Sequence, residues 1–369
     1  MQLDRLRLQN FRSYAALDLR FNNGTVFITG DNANGKTSIL EAIGMLSIGK
    51  SFRGTSDSSL TRFQSGDSWF VSGEYTLENQ LYKLDVAYQK GHAKRFKVNG
   101  KSLSGRQDLI GRLISVIMSP DDLALVNGGP LTRRRFVDLL LSHQSKSYLN
   151  ALMQYSRIVK QRNQILKQAR KDRMQPRNLE YFDKQFISTA ENLIAYRVEF
   201  LKKFGPILQN KIQAISSQQD QVVCRWDYAD EREAESFSES VHKNLNRDVH
   251  SGYTTIGPHR HNLLFILNGN NIDEHGSQGQ KRSLVLAMRM AEYYFLHMVT
   301  GIKPVLLVDD VIRELDQQRR TVFIDMLYDS NQAFFTSPDL DGIQWQSGRQ
   351  RQVLQVRKEH EISQVHGND

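Results

Sequence analysis

The apolar positions of this chain change period along its length. Over the first hundred residues the period is two. Leu6 and Leu8 alternate with polar neighbours, and Trp69–Thr76 and Leu81–Tyr88 read as paired, half-buried strands. Asn99-Gly100, set between Phe96-Lys97-Val98 and Lys101-Ser102-Leu103, is a hairpin signal, because a type I′ turn needs positive φ at both central residues. Val26-Phe27-Ile28-Thr29 is instead a continuous apolar run, the mark of a strand buried on both faces. Ile39, Leu40, Ile43 and Leu46 follow it at helical spacing. An antiparallel sheet next to a buried strand–helix unit is the expectation.

Near Met118 the pattern changes. Ser119-Pro120-Asp121-Asp122 marks a loop or helix start, and from Arg133 onward the spacing is helical. Tyr148, Leu149, Leu152, Met153 and Val159 are expected on one face, with Arg157, Lys160 and Arg162 off it. Met174-Gln175-Pro176 is a break, a second helical run surrounds Phe182–Phe204, and Gly205-Pro206 is expected to interrupt it. Such helices are too short and interrupted for a long coiled coil. Leu263–Leu267, Asn268-Gly269-Asn270-Asn271 and Ile272 predict another hairpin. Val285, Leu286, Met288, Met290 and Tyr293 fit a helix, while Val305–Val308 and Ala333–Thr336 read as buried parallel strands. The polar tail from Gln346 is expected to fray. There is no internal repeat and no low-complexity segment.

Composition narrows the class. With 39% hydrophobic and 24% charged residues, the 369-residue chain has the make-up of a soluble globular protein of two or three lobes. It contains no run of 18 apolar residues. Met1-Gln2-Leu3-Asp4-Arg5 leads straight into a strand rather than a signal peptide. The single cysteine, Cys224, excludes an internal disulfide framework and is expected to be an inert buried thiol. A cytoplasmic setting fits. The net charge of +9 suggests a polyanionic partner. Its distribution is sharper: Pro130–Lys211 holds 17 Lys and Arg against 6 Asp and Glu, whereas Asp220–Glu239 holds 7 acidic and 2 basic residues. Arg157, Lys160, Arg162, Lys167, Arg170, Lys171 and Arg173 form either a solvated helix face or a surface for nucleic-acid phosphates. Arg133-Arg134-Arg135 is a second candidate for phosphate contact. His259 and His261 are expected to be structural, with Arg260 between them an interface candidate.

The chemistry concentrates at Gly30-Asp31-Asn32-Ala33-Asn34-Gly35-Lys36-Thr37, followed by Ser38. These residues fit the phosphate-loop pattern G-x-x-x-x-G-K-[ST]: backbone N–H groups cradle phosphate, Lys36 reaches the outer phosphates, and the Thr37 hydroxyl ligates Mg²⁺. Strand, loop and helix are what this mechanism needs, since the helix N-terminus adds the positive end of its dipole. Asp309 and Asp310 emerge at the end of the Val305–Val308 strand. Asp309 is the candidate Mg²⁺ holder, directly or through water, and Asp310 the group that polarises the attacking water. Lys36, Asp309 and Asp310 are thus the catalytic candidates. Ser277-Gln278-Gly279-Gln280, at the start of a helix, offers a second phosphate-facing N-terminus, with Ser277, Gly279 and Gln280 as its contacts.

Ser277–Gln280 resembles the signature loop of ABC-type ATPases, which completes a neighbour's site across a dimer, and Arg313-Glu314-Leu315-Asp316 resembles their D-loop. Further blocks in order, Leu8–Tyr14, Gly35–Ile43, Gly49–Arg53, Ser119–Leu123, Arg133–Phe136 and Gly257-Pro258-His259-Arg260, make nearly the whole chain similar to the RecF family of SMC-like, bacterial gap-repair ATPases. The resemblance implies an α/β fold: an ABC-type P-loop ATPase head with an antiparallel β lobe, a helical insert lobe and no long coiled coil. It divides the chain into an N-terminal head part (1–117), a basic helical lobe (118–244) and a C-terminal head part (245–369). It also implies a nucleotide contact for Arg12, ATP and Mg²⁺ as cofactors, an ATP-dependent homodimer, sequence-independent binding to duplex or gapped DNA, and work with RecR and RecO in recombinase loading. The Asp309-Asp310 pair stands where ABC proteins in general carry Asp-Glu, Arg313 where the D-loop usually has Ser, and Thr336-Ser337 where transporters carry a histidine. Slow turnover is the expectation. A DNA scaffold that binds ATP without needing turnover and a transporter motor are the alternatives.

Overall fold

Alternating apolar residues build the first sheet. In the computed structural model, which describes residues 1–64, 66–172, 179–216, 219–228, 236–312, 315–339, 350–359 and 362–368, the chain divides into two compact units, 1–122 with 292–369, and 123–291. The first unit opens with β1 (Gln2–Phe11), β2 (Tyr14–Arg20), β3 (Gly24–Thr29) and α1 (Lys36–Ile48), followed by β4 (Ser68–Leu77), β5 (Gln80–Gln89), β6 (Arg95–Val98), β7 (Lys101–Ser102) and β8 (Ser115–Met118). Six of these strands form an antiparallel sheet in the order β2-β1-β4-β5-β6-β7. Trp69 pairs with Tyr88 and Thr76 with Leu81, as the alternation requires. Asn99 and Gly100 turn the last hairpin with φ of 47° and 79°.

The second unit contains α2 (Ala124–Asn127), α3 (Pro130–Gln144), α4 (Lys146–Asp172), α5 (Leu179–Ile215), β9 (Val222–Asp227), α6 (Phe237–Lys243), α7 (Leu245–Ser251), β10 (Asn262–Leu267), β11 (Asn270–Asn271) and α8 (Ile272–His275). The unit boundary falls within α9 (Gln278–Thr300), and the chain ends in the first unit with β12 (Val305–Asp309), α10 (Gln317–Asp329), β13 (Gln332–Ser337), β14 (Arg351–Glu359) and β15 (Ile362–Asn368). The closing strands join β3 and β8 in a second sheet, ordered β15-β14-β3-β13-β12-β8, in which every pair is parallel except β14 with β15. Both sequence ends of the first unit are therefore needed to complete this sheet.

Helix α1 lies between the two sheets, touching β1, β4 and β5 of one and β8, β12 and β13 of the other. That position explains its composition: Ile39, Leu40, Ala42, Ile43, Met45 and Leu46 are fully buried. Gly73 on β4 admits the helix, since a Cβ there would meet Leu46 Cδ1 at 2.4 Å. The described residues of the tail form strands rather than fraying as expected. Leu354 and Val356 are buried, and Arg351–Gln355 pairs with Thr25–Thr29 of β3. The polar residues between them conceal a strand whose backbone extends the sheet.

In the second unit α4 and α5 run antiparallel, as the contacts Tyr148–Tyr196, Tyr155–Phe186 and Arg162–Asp183 show. Pro206 does not interrupt α5, which continues for 37 residues. Phe204, Leu208 and Ile212, all fully buried on one face, supply packing that outweighs the lost hydrogen bond. The hairpin expected after Leu263–Leu267 does form, with β10 pairing antiparallel to β11 through Ile266–Asn271 and Leu267–Asn270, but Ile272 itself begins a helix. The break at 174–176 lies outside the described residues. Two helix-face expectations fail on α4: Met153 is exposed, and Arg162 is fully buried. Its guanidinium donates to Asp183 at 2.7 Å, to Asp248 at 2.5 Å and to Thr254 Oγ1 at 2.8 Å, tying together α4, α5, α7 and the loop after α7. Two carboxylates meet there, so an arginine is retained where the helical period alone demands a leucine.

Removing one partner from such a buried group typically costs about 3–5 kcal/mol. Arg162→Leu is expected to lower stability by about that amount in urea denaturation, whereas Arg157→Ala, one and a half turns away and exposed, is expected to stay within about 0.5 kcal/mol. His259 adds a pH signature. Its Nδ1 meets Tyr155 Oη at 2.6 Å and its Nε2 lies 3.3 Å from Thr254 O. Burial, opposed by the bond to Thr254 and helped by Arg260, Arg134 and His261, pushes its pKa down to about 4. The depressed pKa means that the unfolded chain takes up the proton first. Stability is therefore full above the ordinary value of about 6.5 and falls by up to about 3 kcal/mol toward pH 4. His259→Gln is expected to flatten that part of the stability–pH curve.

Candidate nucleotide site

Strand β3 delivers the chain to Gly30, and α1 begins at Lys36, so the loop between them stands at the carboxyl end of a parallel strand and at a helix N-terminus. Left-handed geometry is built in: φ is 137° at Gly30, 66° at Ala33 and 107° at Gly35. Close packing forbids a side chain at both glycines. A Cβ on Gly30 would lie 2.2 Å from Val356 O, and one on Gly35 would lie 2.6 Å from Ser13 Oγ. Asp31, Asn32 and Ala33 are exposed at the tip, while Asn34, Gly35, Thr37 and Ser38 are half-buried. Lys36 is buried, and its ammonium donates to the carbonyls of Gly30 and Asp31 at 2.7 and 2.9 Å. The lysine therefore spans the loop from inside.

The two halves of the first unit meet at one carboxylate. Oδ1 of Asp309 accepts hydrogen bonds from Thr37 Oγ1 and Thr336 Oγ1, each at 2.8 Å. Asp309 and Thr336 are register partners on adjacent parallel strands, which places the second hydroxyl. Burial pushes the Asp309 carboxyl up. The hydroxyls of Thr37 and Thr336 pull it down, Asp310 adds a further push up, and Arg53 pulls it down. Asp310 has φ of 49°, its N–H donates to Thr336 Oγ1 at 3.0 Å, and its Oδ1 is buried without a hydrogen-bond partner among the described residues. Thr336 was visible in the sequence only as the residue replacing a histidine; its contacts make it part of the site.

Arg12 is held rather than free. Nε and Nη2 both lie 2.7 Å from the carboxylate of Glu41, which is fully buried on α1, and Nη2 also donates to Thr55 Oγ1 at 2.9 Å. Ser51 donates to the same carboxylate. Glu41, Ser51 and Thr55 were missed in the sequence, although an acid inside the apolar run Ile39–Ile43 signals a buried partner.

In the second unit Ser277 and Gln280 form a reciprocal cap at the start of α9. Gln280 N–H donates to Ser277 Oγ at 3.2 Å, and Ser277 N–H donates to Gln280 Oε1 at 2.9 Å. Ser277 is exposed and Gly279 half-buried, so the capped turn is presented to solvent. Arg313 and Glu314 lie outside the described residues, and Asp316 caps α10. Of the triple arginine, Arg133 is buried and bonded to Asp273, and Arg134 donates to His261 O; Arg135 alone is exposed. Arg157, Lys160, Lys167, Arg170 and Lys171 are exposed on α4, and Arg173 is outside the described residues. Cys224 is half-buried rather than fully buried, and desolvation still pushes its thiol up to about 12, consistent with an inert sulfur.

The residues suit a nucleotide and Mg²⁺. Thr37 and Asp309 offer hard oxygen donors. Among the described residues no group of three or more His, Cys, Asp or Glu could hold a metal, and Mg²⁺ ordinarily needs only one or two carboxylates plus phosphate oxygens. Fold and site together define an ABC-type P-loop head of the SMC kind. The model of the RecF/RecN/SMC N-terminal domain matches residues 2–360, and the chain belongs to the RecF family. It is 36% identical over 365 residues, 97% of this chain and 98% of its relative, to the DNA replication and repair protein RecF of Leptospira interrogans serogroup Icterohaemorrhagiae serovar Lai. It is 34% identical over 352 residues, 92% of this chain and 94% of its relative, to RecF of Streptococcus suis. The solved recombination mediator protein RecF-ATP of the RecFOR pathway superposes with a TM-score of 0.88 at 29% identity, covering 99% of this chain and 97% of that one. An Smc head domain from Pyrococcus furiosus shares the fold with a TM-score of 0.55 at 16% identity, covering 100% of this chain and 96% of that one. No described helix is long and apolar enough to cross a membrane.

Gly35→Ala combines a φ of 107° with contacts to Ser13 and Ser363 under 2.8 Å, so the loop must shift. A loss of about 1–3 kcal/mol is expected, read as faster amide exchange confined to residues 30–38 and a lower Tm.

Proposed function

We propose that this chain is an ATP-dependent DNA-binding ATPase of recombinational gap repair and replication maintenance. ATP joins two copies head to head so that the dimer clamps DNA, and slow hydrolysis releases it. With RecO and RecR it promotes recombinase loading at gaps. The observation that carries the reading is the bond between Thr37 of the phosphate loop and Asp309 at the end of β12, which draws the two expected Mg²⁺ contacts together from opposite ends of the sequence.

Gly30–Ser38 hold the phosphates, Lys36 reaches the outer ones, and Arg12 flanks the nucleotide from its seat on Glu41. Thr37 and Asp309 would hold Mg²⁺, which would supply charge neutralisation at the phosphate oxygens. Asp310 orients the attacking water. Its carboxylate is shorter than glutamate and its backbone is left-handed, which favours slow turnover. Ser277, Gly279 and Gln280 present an exposed, capped helix N-terminus that completes the nucleotide site of a second copy. The exposed residues Arg135, Arg157, Lys160, Lys167, Arg170 and Lys171 supply sequence-independent phosphate contacts. Family membership leaves the transporter motor without support.

Light scattering is expected to give the mass of a dimer with ATP and of a monomer with ADP. Lys36→Ala removes charge-assisted bonds of about 1.5–3 kcal/mol, so ATP affinity should fall roughly ten- to hundredfold. Asp310→Asn should stay dimeric in ATP for longer than the parent protein. Equal masses in ATP and ADP would overturn the switch. An Asp310→Asn protein that still supports gap repair would favour an ATP-bound scaffold.

A further inference from the structure

The C-terminal hairpin touches the phosphate loop from behind. Strand β14 lies next to β3, and Val356 O both accepts from Asn34 Nδ2 at 3.4 Å and fills the space where Gly30 would carry a side chain. On β15, Ser363 is 2% exposed. Its N–H donates to Ser13 O at 3.2 Å and its hydroxyl donates to Asn34 O at 2.5 Å. Tyr14, fully buried at the start of β2, donates its hydroxyl to Gly35 O at 3.2 Å. The hydroxyls of Ser13, Tyr14 and Ser363 all converge behind Gly35, within 3.1 Å of where its Cβ would stand.

A peptide unit is planar and trans, so its C=O and the following N–H point in opposite directions. Holding Asn34 O backward aims the Gly35 N–H forward, and holding Gly35 O backward aims the Lys36 N–H forward. Those two N–H groups belong to the stretch that cradles phosphate in a loop of this pattern. A free loop must lose this orientational freedom when a polyphosphate binds, and a braced loop has already lost it.

We propose that Ser363 and Tyr14 are positioning residues that fix two peptide planes of the phosphate loop, so that the C-terminal hairpin sets the affinity for nucleotide phosphates. The proposal rests on the reading of Gly30–Thr37 as a polyphosphate site. Neither residue touches the nucleotide; each acts through a loop carbonyl.

The test uses the full-length protein with Mg-ATP and Mg-ADP in titration calorimetry, and steady-state turnover alongside. Ser363→Ala and Tyr14→Phe are each expected to weaken both nucleotides roughly three- to tenfold, the worth of one hydrogen bond. KM should rise with kcat unchanged at saturation. Leu354→Ala removes buried packing from β14 without touching these hydroxyls; it should lower Tm and leave affinity alone. If Ser363→Ala fails to fold, Tyr14→Phe, which loses only an oxygen, carries the test. Unchanged affinity in the hydroxyl variants, a fall in kcat at constant KM, or an equal affinity loss in Leu354→Ala would each overturn the brace. Absence of nucleotide binding by the parent protein would instead sink the polyphosphate reading itself.

Discussion

One oxygen of Asp309 organises the first unit. It accepts from Thr37 and from Thr336, joining the start of α1 to the ends of two parallel strands. The first and last of these residues are about three hundred positions apart, so the sheet must close before the bond can form. The same carboxylate is pushed up by burial, a cost partly relieved by those hydroxyls. A divalent cation would relieve more of it.

Much of this was legible because local physics dictated it. The Gly30–Thr37 pattern needs only nearby residues, and the strands at 69–76, 81–88, 305–308 and 333–336 declare themselves by period or apolar content. What was hidden depends on residues distant in sequence. Arg162 reads as part of a basic face until Asp183 and Asp248 arrive from other helices. Pro206 reads as a break until Phe204, Leu208 and Ile212 bury the same face of α5. The tail reads as loose because most residues of β14 are polar or charged, yet its backbone extends a sheet. Ser363 gives no local signal at all, since its partner Asn34 lies at the other end of the chain.

The basic excess between residues 130 and 211 also changes meaning once folded. Arg133, Arg162 and Arg197 are buried, and each is paired with a carboxylate. They hold helices and loops together and are withdrawn from any polyanion. The charge left on the surface is smaller and more localised, running along α4 with Arg135 added from α3. Electrostatic attraction of a polyanion to such a face is sequence-independent and weakens with salt.

A nucleotide site shared between two copies, as proposed, is tested most directly by mixing Lys36→Ala and Ser277→Arg, each expected to be inactive alone. If the phosphate loop of one copy works with the capped α9 N-terminus of another, mixed dimers retain one intact site. DNA-dependent ATP turnover should then return to up to roughly a quarter of the parent rate. A mixture as inactive as its components would contradict a site completed by a second copy.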